Sequence, residues 1–169
     1  MRPAVGPWMS MVVALATSAC KTDVVPDPSE RSATSSVATA PAPHLRVAEA
    51  PPAGDVARAV RDALAKAAAE KRRLVVYVGA DWCEPCGRFL RAAENGELDA
   101  AFGDVTLLAF DSDRDGERLK AAGYASRYIP LFALPAGDGT ASRRQIEGGI
   151  KGDGAVANIA PRLRLLLAQ

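Results

Sequence analysis

The chain has 169 residues, room for one globular domain of ordinary size with some chain left over. Lysine and arginine number 21 against 20 aspartate and glutamate, a formal charge of +1, whereas a protein that grips polyanions carries a large basic excess, so nucleic acid is not an expected partner. A composition 49% apolar and 24% charged excludes a collagen, a coiled coil and a multi-span membrane protein, and three cysteines are too few for a disulfide-stapled scaffold.

Met1 to Ala19 holds no acidic residue, one arginine (Arg2), and an apolar run from Trp8 to Ala16 interrupted only by Ser10. That run has the length of a signal-peptide core and falls short of the ~20 residues that span a bilayer. The small residues Thr17-Ser18-Ala19 then precede Cys20. The arrangement resembles a bacterial lipoprotein signal, which implies cleavage before Cys20 and lipid attachment to that cysteine, although Thr17 stands where such signals usually carry leucine. Lys21, in place of the aspartate that marks inner-membrane retention, implies the outer membrane. The expected location is therefore the periplasmic side of the bacterial cell envelope, with Cys20 as the membrane link; an ordinary cleaved signal would instead leave Cys20 a free thiol. Cleavage leaves 150 residues (169 less 19) and, with Arg2 removed, no formal net charge.

Lys21 to Ala53 contains six prolines, no glycine and no aromatic residue. Such a stretch buries too little apolar surface to offset the entropy of ordering it. Residues 20–53 are thus expected to form a disordered tether, with the folded domain at 54–169. His44, the only histidine, falls in this tether, where nothing would orient its ring, and no catalytic or metal role is expected for it.

Asp55 is placed to cap a helix whose apolar positions Val56, Val60, Leu64 and Ala67 recur at helical spacing, with Lys71, Arg72 and Arg73 expected to complement its C-terminal dipole. Leu74 to Val78 reads as a buried strand stopped by Gly79. Phe89, Leu90 and Ala93 give one helical face, and Asn95-Gly96 a stop. A second strand is expected at Val105–Phe110 and a short helix from Glu117 to Ala122 ending at Gly123. A third strand at Leu131–Leu134, a turn at Gly137-Asp138-Gly139 and a fourth strand around Arg144–Ile146 follow. The stripe Val156, Ile159, Ala160, Leu163, Leu167 predicts a last helix capped near Asp153, kinked or restarted at Pro161. Strands alternating with helices imply an α/β fold, a sheet with helices on both faces.

Cys83-Glu84-Pro85-Cys86 lies between the first strand and the following helix. Two cysteines at that spacing can close a small disulfide ring, and the unpaired N–H groups at a helix start favour a thiolate on the first. Cys83 is then the exposed nucleophile, and Cys86, one turn in, is more shielded and placed to displace what Cys83 captures. Pro85 suits a first helical turn because its missing N–H would have had no partner. A zinc site would need two further ligands, and the chain has no second such pair. A purely structural disulfide closing so short a loop would add little stability.

At Trp82-Cys83-Glu84-Pro85-Cys86 the chain resembles thioredoxin, and Ala80-Asp81-Trp82-Cys83 is similar to secreted or membrane-anchored thiol:disulfide interchange proteins. The resemblance covers roughly Asp55 to Leu167. It implies a thioredoxin fold, with a central mixed sheet of about four to five strands and helices on both faces. It also implies that Pro130 is a cis-proline beside the redox pair, that Ile129 offers its backbone to a substrate chain, that Trp82 and Pro85 share in docking, and that Gly148 lets substrate approach.

Four positions depart from the pattern. Tyr77 stands where thioredoxin has a buried aspartate that helps deprotonate the second cysteine, and a phenol is a poor base near neutrality; Asp81 or water would have to assist. Gly87 replaces a usual lysine and Leu131 the threonine after the proline. Glu84, between the cysteines, places a negative charge that should oppose ionisation of Cys83 and lower the potential. Trp82 has a plainer reading as a cover for the core. Asp111-Ser112-Asp113-Arg114-Asp115-Gly116 matches the first half of a calcium-binding EF-hand loop, but the twelfth position is Ala122, which cannot ligate; an acidic strand-to-helix loop capped by Asp113 or Asp115 is the simpler expectation.

The resulting expectation is a thiol:disulfide oxidoreductase acting on protein substrates through Cys83 and Cys86, more a reductant than an oxidant. No cofactor is expected besides the dithiol, which another redox protein would recharge. The alternatives are a copper-handling module with Cu(I) on the two thiolates, and a redox-inactive partner-binding domain.

Overall fold

The computed structural model describes residues 42–169. The signal segment, Cys20 and most of the tether lie outside the described residues. Among the described residues, no helix is long and apolar enough to cross a membrane.

Ten elements follow in order: β1 (Arg46–Glu49), α1 (Val56–Ala69), β2 (Arg73–Gly79), α2 (Glu84–Glu94), α3 (Asp99–Phe102), β3 (Val105–Asp111), α4 (Ser112–Ala121), β4 (Leu131–Pro135), β5 (Ala141–Glu147) and α5 (Ala155–Leu167). The sheet order is β1-β3-β2-β4-β5. β1 and β2 run parallel to β3, β4 runs antiparallel to β2, and β5 antiparallel to β4.

Two apolar layers sandwich this sheet, which is why β2 reads as unbroken apolar sequence rather than as an alternation. Successive side chains still point to opposite faces. Val75 and Tyr77 join Leu107, Phe132, Phe89, Ile159 and Leu163 in the layer under α2 and α5. Leu74, Val76 and Val78 join Leu108, Phe110, Val56, Val60 and Leu119 in the layer under α1 and α4.

The tether ends earlier than composition implied. Arg46–Glu49 is an edge strand paired with Thr106–Ala109, and Leu45 is buried. His44 is held as well: its Nδ1 lies 2.6 Å from Asp99 Oδ2, and the Leu45 N–H donates to Asp99 Oδ1 at 2.9 Å. Tertiary pairing overrides the proline-rich composition, since the strand gives β3 a second neighbour and satisfies its backbone groups.

Asp55 caps α1, its side chain accepting from the Arg58 N–H at 2.6 Å. The three cations after α1 do not serve its dipole as expected. Lys71 adopts φ 55°, closing the helix with Lys71 N–H to the Ala68 carbonyl and Arg72 N–H to the Ala67 carbonyl. Arg72 reaches across the sheet end to Thr106 Oγ1 and the carbonyls of Gly103, Val105 and His44. Arg73 opens β2 and forks onto Asp104 at 2.7 and 2.8 Å.

α4 begins five residues before the expected helix, and its N-cap is Asp111 rather than Asp113 or Asp115. The calcium-like segment is therefore a helical first turn, and its Asp115 carboxylate faces Arg114 and Arg118 instead of a cation site. α5 is capped at Gly154, not Asp153, and runs through Pro161 without restarting.

Candidate active site

β2 ends at Gly79 and a tight turn, in which Cys83 N–H donates to the Ala80 carbonyl at 3.0 Å, leads into α2. Cys83 is the N-cap of α2, with Glu84, Pro85 and Cys86 as the first three helical residues. The two sulfurs are joined, 2.04 Å apart, with the Cα atoms 5.2 Å apart. Cys83 is 5% exposed and Cys86 1%. The order of accessibility is the expected one, but Cys83 is more enclosed than an exposed nucleophile, since it belongs to the buried cluster under α2 and α5. The N-cap side chain normally accepts from the second or third helical amide. With Pro85 at the second, only the Cys86 N–H remains for a Cys83 thiolate.

Trp82 does not cover the core: it is 69% exposed, and its Nε1–H donates to Asp113 Oδ2 at 2.8 Å. The carboxylate from α4 holds the exposed indole next in the chain to Cys83. Asp113 thus has a role that its sequence context, read as a helix cap, concealed.

The charge expected from Glu84 is not free to act on Cys83. Glu84 Oε1 accepts from Arg88 Nε at 2.9 Å and from the Gly152 N–H at 3.2 Å, and Arg88 Nη1 in turn meets Asp153 Oδ1 at 2.8 Å. The Arg88 hydrogen bond holds the Glu84 carboxyl below its usual range. The i,i+4 spacing of Glu84 and Arg88 was the signal in the sequence that foretold this pairing.

The Ile129–Pro130 peptide is cis. Pro130 is buried, Leu131 begins β4 fully enclosed, and Ile129 packs against the layer that holds both cysteines. The Pro130 carbonyl accepts from Gly148 N–H at 2.9 Å, and Gly148 takes φ 71°. A β-carbon at Gly149 would press on Ile159 and on Pro85, so the chain after β5 lies against the start of α2. Tyr128 and Ile150, 56% and 53% exposed, flank this segment.

Behind the disulfide, Tyr77 is 2% exposed and its hydroxyl has no hydrogen-bond partner. Burial pushes this phenol well above its ordinary range, so it is no base at any working pH. Asp81 is exposed and lines the same cleft as Tyr77 and Cys86. Gly87 leaves space into which the Arg91 guanidinium folds, 3.2 Å from where a β-carbon would stand.

Residues 55–135 match the thioredoxin-like family. Among solved structures, the chain is similar to thioredoxin O2 from Arabidopsis thaliana in the oxidized state, with 22% identity over 75% of this chain and 94% of that one and a TM-score of 0.43. It is also similar to Trichomonas vaginalis thioredoxin, with 24% identity over 62% and 85% and a TM-score of 0.42. Thioredoxin O1 from Arabidopsis thaliana gives 20% identity over 63% and 87% and a TM-score of 0.41. No curated protein matches the chain. A Cys83–Cys86 disulfide at a helix start supports thiol–disulfide oxidoreductase chemistry in general, and the mixed five-stranded sheet, with residues 55–135 matching the thioredoxin-like family, fits an α/β thioredoxin fold.

Proposed function

We propose that this protein is an extracytoplasmic thiol:disulfide oxidoreductase, tethered to the membrane through a lipid on Cys20 and facing the periplasm, that reduces disulfides in protein substrates. The reading rests on one observation, the joined Cys83–Cys86 pair at the N-terminus of α2 with Cys83 the more accessible sulfur. In the reduced form the Cys83 thiolate attacks one sulfur of a substrate disulfide. A mixed disulfide forms and the other substrate sulfur leaves with the electron pair and takes a proton from solvent. Cys86 then loses its proton and attacks Cys83, which closes the internal disulfide and releases the substrate as a dithiol. Two electrons pass to substrate, and a second redox protein must restore the dithiol.

The direction follows from how little the site does for a thiolate. Cys83 is nearly enclosed, Pro85 removes one amide donor, and Arg88 is engaged with Glu84 and Asp153. A poorly stabilised reduced form has a low potential. The support therefore comes from missing donors rather than from the Glu84 charge.

The test is a protein-disulfide reduction assay on the native chain, Cys83→Ser and Cys86→Ala. Cys83→Ser is expected to lose turnover entirely, and Cys86→Ala to accumulate a mixed disulfide with substrate. Turnover that persists without Cys83 would refute the reading. The potential, from equilibration with a thiol–disulfide buffer, should lie below about −200 mV; a value above about −150 mV reverses the direction.

A further inference from the structure

Among the described residues, Tyr77 Oη is the one buried side-chain polar atom without a hydrogen-bond partner. A buried orphan of this kind in a native fold calls for a reason, because phenylalanine would fill the same space without leaving a polar group unpaired. The ring is fixed by Phe132, with centroids 5.3 Å apart. Its hydroxyl lies over Gly79, where a β-carbon would collide with it. The glycine makes room for the oxygen.

Tyr77 and Gly79 line an open cleft of about 460 Å³ whose wall also includes Cys86 and Gly87. Its charged groups are Glu49 from β1, Asp81 from the turn before Cys83, Arg91 from α2, and Asp111 and Arg114 at the start of α4. Asp111 caps α4 and Arg114 is paired with Asp115. What distinguishes Cys86 from these groups is that its charge changes during the reaction. In the disulfide its sulfur is a weak acceptor; when it resolves a mixed disulfide it passes through a thiolate, a strong one.

We propose that the Tyr77 hydroxyl, in the same buried layer as Cys86, is a donor held in reserve for the resolving step, giving its hydrogen bond to the Cys86 sulfur while that sulfur carries negative charge. This rests on the oxidoreductase reading above and adds a residue to it. The proton of Cys86 leaves to water in the cleft, the Cys86 sulfur bonds to Cys83, and the bond from Cys83 to substrate breaks with its electron pair going to the substrate sulfur. Tyr77 keeps its own proton throughout, in accord with the effect of burial on this phenol.

Stopped-flow single turnover of the reduced chain with a small disulfide-bonded protein separates capture by Cys83 from resolution by Cys86. Tyr77→Phe is expected to capture at the native rate and to resolve about tenfold or more slowly, the loss expected for a hydrogen bond to a charged group. The pH inflection of its resolving step should move up by about one unit. The oxidised variant should melt no lower than the native chain, since no hydrogen bond is removed. Resolution at the native rate with the native pH profile would overturn the inference, and so would equal slowing of both steps, which marks a purely structural effect. Should the variant fail to fold, fluorotyrosine at 77 keeps the shape and strengthens the donor: faster resolution supports the inference and an unchanged rate overturns it. A native chain that never captures substrate would instead overturn the oxidoreductase reading itself.

Discussion

Asp115 shows how much one side chain can be repurposed by its surroundings. Its carboxylate is fully buried, accepts from Arg114 and Arg118 at 2.9 Å each, and takes the Asp111 N–H at 3.1 Å. Burial alone would raise its pKa, but the two arginines outweigh it and hold the carboxyl below the usual range. Arg118 also binds the Pro51 and Gly54 carbonyls, so this one cluster ties α4 to the approach of α1. A folded pKa below the unfolded one contributes stability that is present above about pH 4, the unfolded value, and is lost as pH falls through the folded value. Asp115→Asn is expected to cost about 2 kcal/mol at neutral pH and to flatten the loss of melting temperature below pH 4, both measurable by circular dichroism. An unchanged acid limb would show that other carboxylates carry it. In the sequence this aspartate looked like a calcium ligand or a cap, because the helix was expected only from Glu117, and the i,i+3 pairing with Arg118 forms only when Asp115 is itself helical.

Helix ends separate what is legible from what is not. α2 and α4 stop where Gly96 and Gly123 take positive φ and close back on the last turn, and both stops are evident in the sequence because glycine is the residue that conformation favours. α1 stops in the same way at Lys71, and no residue type announced it. β1 was hidden for a related reason: Arg-Val-Ala-Glu between prolines has no strand signal of its own and exists only because β3 offers an edge. A chain beginning at Asp55 is expected to lose the burial of Leu45 and Ala50, roughly 2 to 3 kcal/mol, and to leave the β3 edge open to aggregation. Urea unfolding of chains starting at Ala40 and at Asp55 checks this, and equal midpoints would show β1 to be dispensable.

For the whole molecule, the proposed anchor sits near the start of the chain, well before the redox pair, at Cys20. Cys20 lies outside the described residues, so lipid attachment rests on the resemblance of Met1–Cys20 to a lipoprotein signal. Fractionation of cells making the native chain should place it with membranes, and Cys20→Ala should move it to the soluble fraction; a native chain already soluble would overturn the anchor. The redox pair, its helix and the strand before it were readable in advance, because a disulfide ring, a first-turn proline and a β-branched run are all decided by neighbours within a few residues. Local signals were therefore enough for the α/β class, the pair Cys83–Cys86 and its place at a helix start. It took the packed fold to stand Trp82 out on an Asp113 hydrogen bond, to bring Gly152 and Asp153 to the Glu84–Arg88 pair, to enclose Cys83, and to leave the Tyr77 hydroxyl unpaired beside the cleft. Each of those depends on groups brought together from separate elements, and such contacts exist only once the sheet has set the distances between them.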